Sequence, residues 1–200
     1  MPGMNVDARR AADRQFLDFE FADLGELRGR DVVHLRCDAE AGTEAFVRRG
    51  ARSAVGLDLP GATGTPLDGR RFDVAYVGKG ALCHLADLDR FAGVLVRLLR
   101  PGATAYIVDY HPVALPEQGA GAGPAHGIGD VVTALLGAKL RITGLRDHDA
   151  LPWRRWPQMT QDEWGWWRLP AGQPRVPLLY ALRAMAPHHP EPGNGRGPCW

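Results

Sequence analysis

Apolar positions along this chain alternate between short β-rich runs and stretches of helical spacing, and that alternation predicts a β/α repeat. Residues 7 to 20, DARRAADRQFLDFE, carry few helix breakers and set Phe16, Leu17 and Phe19 on one side, predicting an amphipathic helix that covers a sheet. VVHLRC at 32–37 reads as a strand buried on both faces. A helix is expected over 41–50 with Ala45, Phe46 and Glu44 partly covered, and Gly50 releases the chain into a second strand, SAVGLDL at 53–59. Only PGATGTPLDGRR separates that strand from FDVAYV at 72–77, too little chain for a crossover helix and a further strand. DLDRFAGVLVRLLR at 87–100 sets Leu88, Phe91, Val94, Leu95 and Leu98 at helical spacing, with Pro101-Gly102 as its stop. ATAYIVDY at 103–110 predicts a strand and GIGDVVTALLGA at 127–138 a helix. KLRITGLRDHD at 139–149 and RVPLLYALRAMA at 175–186 follow as a terminal pair of strands.

These elements predict an α/β fold of about six strands in a mainly parallel sheet with an antiparallel terminal strand and helices on both faces. One domain is expected over 1–186: an N-terminal helical cover at 1–29, core β-α-β units at 30–110, a mobile glycine-rich loop at 119–127 and a tryptophan-rich insertion at 150–172. Residues 187–200 are rich in proline and glycine and poor in apolar side chains, so a disordered tail is expected there.

Composition narrows the function classes. The formal charge is +1, from 24 basic and 23 acidic residues, so no global field favours nucleic acid or an anionic membrane, and a small molecule is the expected partner. The three cysteines form no CxxC pair, and no stretch approaches the length of a membrane helix, so a reduced, cytoplasmic protein is expected. No metal is expected: HExxH, EF-hand and Walker A patterns are missing, and the HHP at 188–190 lacks a third ligand. The sole serine, Ser53, stands outside any GxSxG turn, which disfavours acyl transfer through serine.

The blocks VVHLRC, SAVGLDL, FDVAYVGKGALCHLADLDRF, LLRPG, YIVDYHPV and EWGWWRLPAG resemble those of class I S-adenosylmethionine-dependent methyltransferases, closest to a bacterial small-molecule branch, over about 30–185. The resemblance implies a Rossmann-like fold and assigns Asp58 to the cofactor ribose. It also brings Cys37 and Gly42 to the cofactor loop, if the ancestral site survives. Two departures alter that expectation. Glu40 stands where the resemblance expects glycine, adding bulk and negative charge near the methionyl group. Most of the segment between GLDL and FDVAYV is missing, which removes one wall of the adenine pocket and leaves the second strand as an open edge. A partner chain covering the edge near 59–71, in a homo- or hetero-oligomer, is therefore expected. So is a protein without a cofactor, S-adenosylmethionine being the alternative.

Candidate chemistry gathers where strands end. In the loop GKGALCHL at 78–85, Lys79 is a candidate anion ligand, Cys83 a small buried thiol and His84 an acid, a base or a cap. In Asp109-Tyr110-His111, strand alternation puts Asp109 and His111 on one side, where the acid can orient the imidazole for proton transfer, while Tyr110 is a substrate-binding candidate. With Asp38 and Glu40 these acids make an acidic cavity. It suits a repurposed biosynthetic enzyme that uses a carboxylate as general base in cyclisation or elimination on a small metabolite, free or carrier-bound. Ordinary small-molecule methylation and a noncatalytic partner subunit are the alternatives. Trp166 and Trp167, within a run holding five of the six tryptophans, are either a substrate wall or core packing.

Overall fold

The computed structural model describes residues 18–36, 42–58, 69–114, 126–172 and 175–188. The chain enters through helix α1 (Asp18–Leu24), strand β1 (Asp31–Arg36), helix α2 (Thr43–Arg48) and strand β2 (Ser53–Asp58). Strand β3 (Phe72–Val77), helix α3 (Leu88–Leu98), strand β4 (Leu99–Tyr110), helix α4 (Ile128–Gly137) and strand β5 (Arg141–His148) follow. Two short strands, β6 (Thr160–Gln161) and β7 (Trp167–Arg168), pair within the tryptophan-rich segment before strand β8 (Leu179–Met185).

Six strands form one sheet in the order β2-β1-β3-β4-β8-β5. β1 to β4 run parallel, and β8 inserts antiparallel between β4 and β5. Alternation along each strand divides the core into two layers. Val33, Leu35, Ala75, Val77, Ala105 and Ile107 face α3 and α4; Val32, Val74, Tyr76, Tyr106 and Val108 face α1, α2 and the tryptophan-rich segment. The sheet is thus covered on both faces, which explains the continuous apolar runs of its strands.

The best-patterned helix behaves as its sequence predicts. The Asp87 side chain accepts the Arg90 amide at 2.8 Å as N-cap, and Phe91, Val94, Leu95 and Leu98 are buried. Such a cap is worth about 1 kcal/mol. Its far end differs from expectation: Pro101-Gly102 does not precede β4 but lies inside it. Leu99 already pairs with Phe72, the register then shifts, and Gly102, at φ 72°, donates its amide to Ala186. A bulge absorbs the proline, which has no amide to give to the ladder. β8 starts at Leu179, later than the predicted 175, because Pro177 likewise delays pairing.

Charge at the amino ends of the strands is neutralised internally. Asp31 accepts Arg52 Nε at 2.9 Å, Ser53 Oγ at 2.8 Å and Arg100 Nη2 at 2.9 Å, and Asp73 takes the other Arg100 nitrogen at 2.6 Å and the Asp31 amide at 2.8 Å. The Arg52 guanidinium, with Arg100 and Ser53, holds the Asp31 carboxyl well below the usual carboxylate range. Ser53 is accordingly part of a clamp joining four strands.

Helix α1 overlaps only the end of the helix expected at 7–20 and continues to Leu24, where Phe21 meets Phe46 edge-on and Phe19 stacks on His148 at 3.5 Å. The rest of the helix placed at 7–20 lies outside the described residues, as do positions 119–125 of the glycine-rich loop and 189–200 of the tail. Among the described residues no strand stands beyond β2. No helix there is long and apolar enough to cross a membrane.

Candidate functional site

The carboxyl ends of β1 to β4 open to one side, where open parallel sheets gather ligands. Arg36 and Asp58 are register partners, so the last residue of β2 lies beside the start of the loop leaving β1. Asp58 is exposed there. The far side of that loop is Gly42, which caps α2 with φ 93° and ψ −16° and accepts the Ala45 amide at 3.0 Å through its carbonyl. That left-handed backbone strains any residue with a Cβ, so a glycine-dependent turn does stand at the start of α2, two positions after Glu40. Cys37, Asp38 and Glu40 themselves lie outside the described residues.

Asp109 has a different neighbourhood from the one its sequence position suggests. Its carboxylate is buried and accepts the amides of Gly80 at 2.7 Å, Leu82 at 3.0 Å and Tyr110 at 2.7 Å. Burial pushes its carboxyl up, opposed by those amides and by Lys79. The acid thereby staples the loop after β3 onto the end of β4. His111 does not join it: Nδ1 accepts the Val113 amide at 3.2 Å and Nε2 lies 3.8 Å from Asp147. The expected pairing of Asp109 with His111 is not formed: the Asp109 carboxylate is taken up by amides, and the imidazole accepts the Val113 amide of the turn that begins at Pro112.

Lys79 is similarly occupied. Its ammonium donates to the Glu20 carboxylate, with 3% and 0% of the two side chains exposed, and the Tyr76 hydroxyl donates to the same carboxylate. A lysine expected to meet an anion from solvent is thus buried beneath α1. Burial and the Glu20 charge push the Tyr76 hydroxyl far up, so it remains a donor. Periodicity could not have found Glu20, since its partners lie 56 and 59 residues away.

The remaining candidates divide by exposure. Cys83 donates to the Gly80 carbonyl at 3.0 Å, and burial with Asp109 nearby pushes its thiol up, which suits a small packed residue and not a nucleophile. His84 is exposed in a short 3-10 turn, Leu82–His84. Trp166 and Trp167 pack against the α1-side core, and Trp167 pairs with Leu151 through both main-chain groups. Tyr110 packs on the same core, under Trp153, whose ring is 6.2 Å away, and under the Arg155 guanidinium at 4.3 Å. A cavity of about 460 Å³ opens on the other side of the insertion, lined by Asp149, Asp162, Arg168 and Arg175. Its charges pair with one another, Arg168 bridging Asp149 and Asp162.

This architecture is shared with known proteins. An S-adenosylmethionine-dependent methyltransferase of Mesorhizobium loti superposes with a TM-score of 0.61 at 18% identity, over 82% of this chain and 94% of that one. The methyltransferase solved in complex with the Trm112 activator of Haloferax volcanii gives 0.62 at 16%, over 92% and 95%. A structure concerned with converting a disulfide bond into a thioacetal group during echinomycin biosynthesis gives 0.53 at 13%, over 80% and 76%. No family profile and no curated protein matches the sequence. The chain therefore has the class I S-adenosylmethionine-dependent methyltransferase fold, with β2 in the outermost described position of the sheet. These neighbours give no support to the expectation that the protein dispenses with a cofactor.

Proposed function

We propose that this protein is an S-adenosylmethionine-dependent methyltransferase acting on a small metabolite. The observation that carries this reading is the register of Asp58, at the end of β2, beside Arg36, the last residue of β1, with the left-handed Gly42 opening the next helix. An acid on one side and a glycine turn on the other suit the ribose and methionyl portions of the cofactor. When bound, S-adenosylmethionine supplies a methyl group activated by its positive sulfur. The protein's part is to align an acceptor nucleophile and to let its proton leave, which needs no catalytic triad.

Cyclisation or elimination by a carboxylate base has less support. Asp109 is committed to three amides, so that chemistry would fall to Asp38 and Glu40 alone. The test is calorimetric titration of S-adenosylhomocysteine into the wild type and Asp58→Ala. Saturable binding that weakens about tenfold or more in the variant is expected for a lost hydrogen bond to a charged group. Absence of binding to either protein overturns the reading.

A second reading concerns assembly, and β2 favours it. With no described strand beyond it, this edge offers main-chain groups to a second chain, in a homo- or hetero-oligomer, near 59–71. Such a partner would also complete the adenine side of the cofactor site.

A further inference from the structure

We infer that the acceptor carries a carboxylate and that Arg155, seated on Tyr110 and Trp156 at the carboxyl end of β4, receives it. The inference rests on the methyl-transfer reading for the role of this ligand as acceptor; the anion site itself stands on geometry.

Arg155 is half-buried, with its guanidinium carbon 4.3 Å from the Tyr110 ring centre and 5.5 Å from that of Trp156. Trp153 meets Tyr110 edge-on, and Gly80 of the β3 loop lies under the tyrosine ring, where an added Cβ would sit 3.6 Å from Cε2. The main chain is anchored too, since the Arg155 amide contacts Sδ of the buried Met159 at 3.4 Å. A cation held against aromatic faces is fixed in position, and a guanidinium has N–H groups beyond the one that can reach the Tyr110 hydroxyl.

Among the described residues, several arginines near the sheet have carboxylate partners and this one does not. Arg52 and Arg100 bind Asp31, Arg146 binds Asp23 and Arg168 binds Asp149 and Asp162. Among the described residues no carboxylate lies within 4.0 Å of the Arg155 guanidinium. Asp109, on the residue preceding Tyr110, already accepts three amides. A partly desolvated cation of this kind, with aromatic walls, suits a planar anion bound by two parallel N–H groups.

Position separates this anion from the cofactor's own carboxylate. The loop leaving β1, where the methionyl group is expected, is two strands from β4 in the order β1-β3-β4, about 10 Å at the usual strand spacing. Arg155 stands on the acceptor side of that distance.

The experiment uses benzoate and its neutral isostere benzamide as probes, titrated into the full chain and followed by tryptophan fluorescence, with Trp153 and Trp156 as reporters. Wild type is expected to bind benzoate saturably and benzamide about tenfold or more weakly. Arg155→Gln should lose about tenfold or more in benzoate affinity, and Arg155→Lys less, because it keeps charge but not the fork. Calorimetric affinity for S-adenosylhomocysteine should change less than about twofold in both. Equal binding of the two probes, no binding of benzoate, or an unaltered benzoate affinity in Arg155→Gln overturns the inference. So does a parallel loss of S-adenosylhomocysteine affinity, which would assign the arginine to the cofactor. If no variant binds S-adenosylhomocysteine while benzoate still depends on Arg155, methyl transfer fails and the carboxylate site stands. Should Arg155→Gln lose its circular dichroism, the wild-type preference between the two probes and the lysine variant decide.

Discussion

Asp109 places its carboxylate among three main-chain amides, two of which belong to the loop that shapes one side of the ligand mouth. Its removal should therefore register first as lost stability. Asp109→Ala is expected to cost about 3 kcal/mol in urea unfolding, with Asp109→Asn recovering part through its remaining carbonyl oxygen. Unchanged stability with turnover abolished would return the acid to the chemistry. That Asp109 ends a strand was legible from ATAYIVDY, but the aim of its side chain was not. Its donors come from a turn 27 and 29 residues upstream, and turn geometry leaves no hydrophobic period. Asp58 and Gly42 were singled out by the family resemblance of their blocks, not by periodicity or residue type.

At the scale of elements, α1 is joined to β3 by an ion pair and a hydrogen bond as well as by apolar contact. Glu20 reaches both Lys79 and Tyr76, so the helix is fixed in register over the end of that strand. Glu20→Ala, which strips Lys79 of a buried counter-charge, is expected to destabilise by about 3 kcal/mol. The double variant Glu20→Met/Lys79→Met should be closer to wild type than the sum of the singles, as read by a thermal-unfolding cycle. Strict additivity would mean that the two charges do not act on each other. Sequence periodicity foresaw α3 and α4 to within two residues at each end, because each has an apolar stripe of its own. It missed the β6–β7 hairpin, whose strands of two residues are too short to show alternation.

For the whole molecule, the order β2-β1-β3-β4-β8-β5 leaves β2 and β5 with no described neighbour on their outer sides, while β1 is paired on both sides. Hydrogen exchange of the isolated chain should find the amides of 53–58 less protected than those of 31–36, and should find them slowed when a partner or a second copy binds. Equal protection in the isolated chain would mean that its own residues cover the edge. The expectation of an open edge came from the short span from 59 to 71, since chain length limits what can be built between two strands, and most of that span lies outside the described residues.

The clamp of Asp31, Arg52, Arg100 and Asp73 has a bearing on how this protein can change over generations. It locks the sheet from the end opposite the ligand mouth, so rigidity and recognition draw on separate sets of residues. Exposed positions at the mouth, such as His84 and Trp164, are then free to drift toward new acceptors without loosening the frame, and a laboratory library confined to such positions should retain folded members at high frequency.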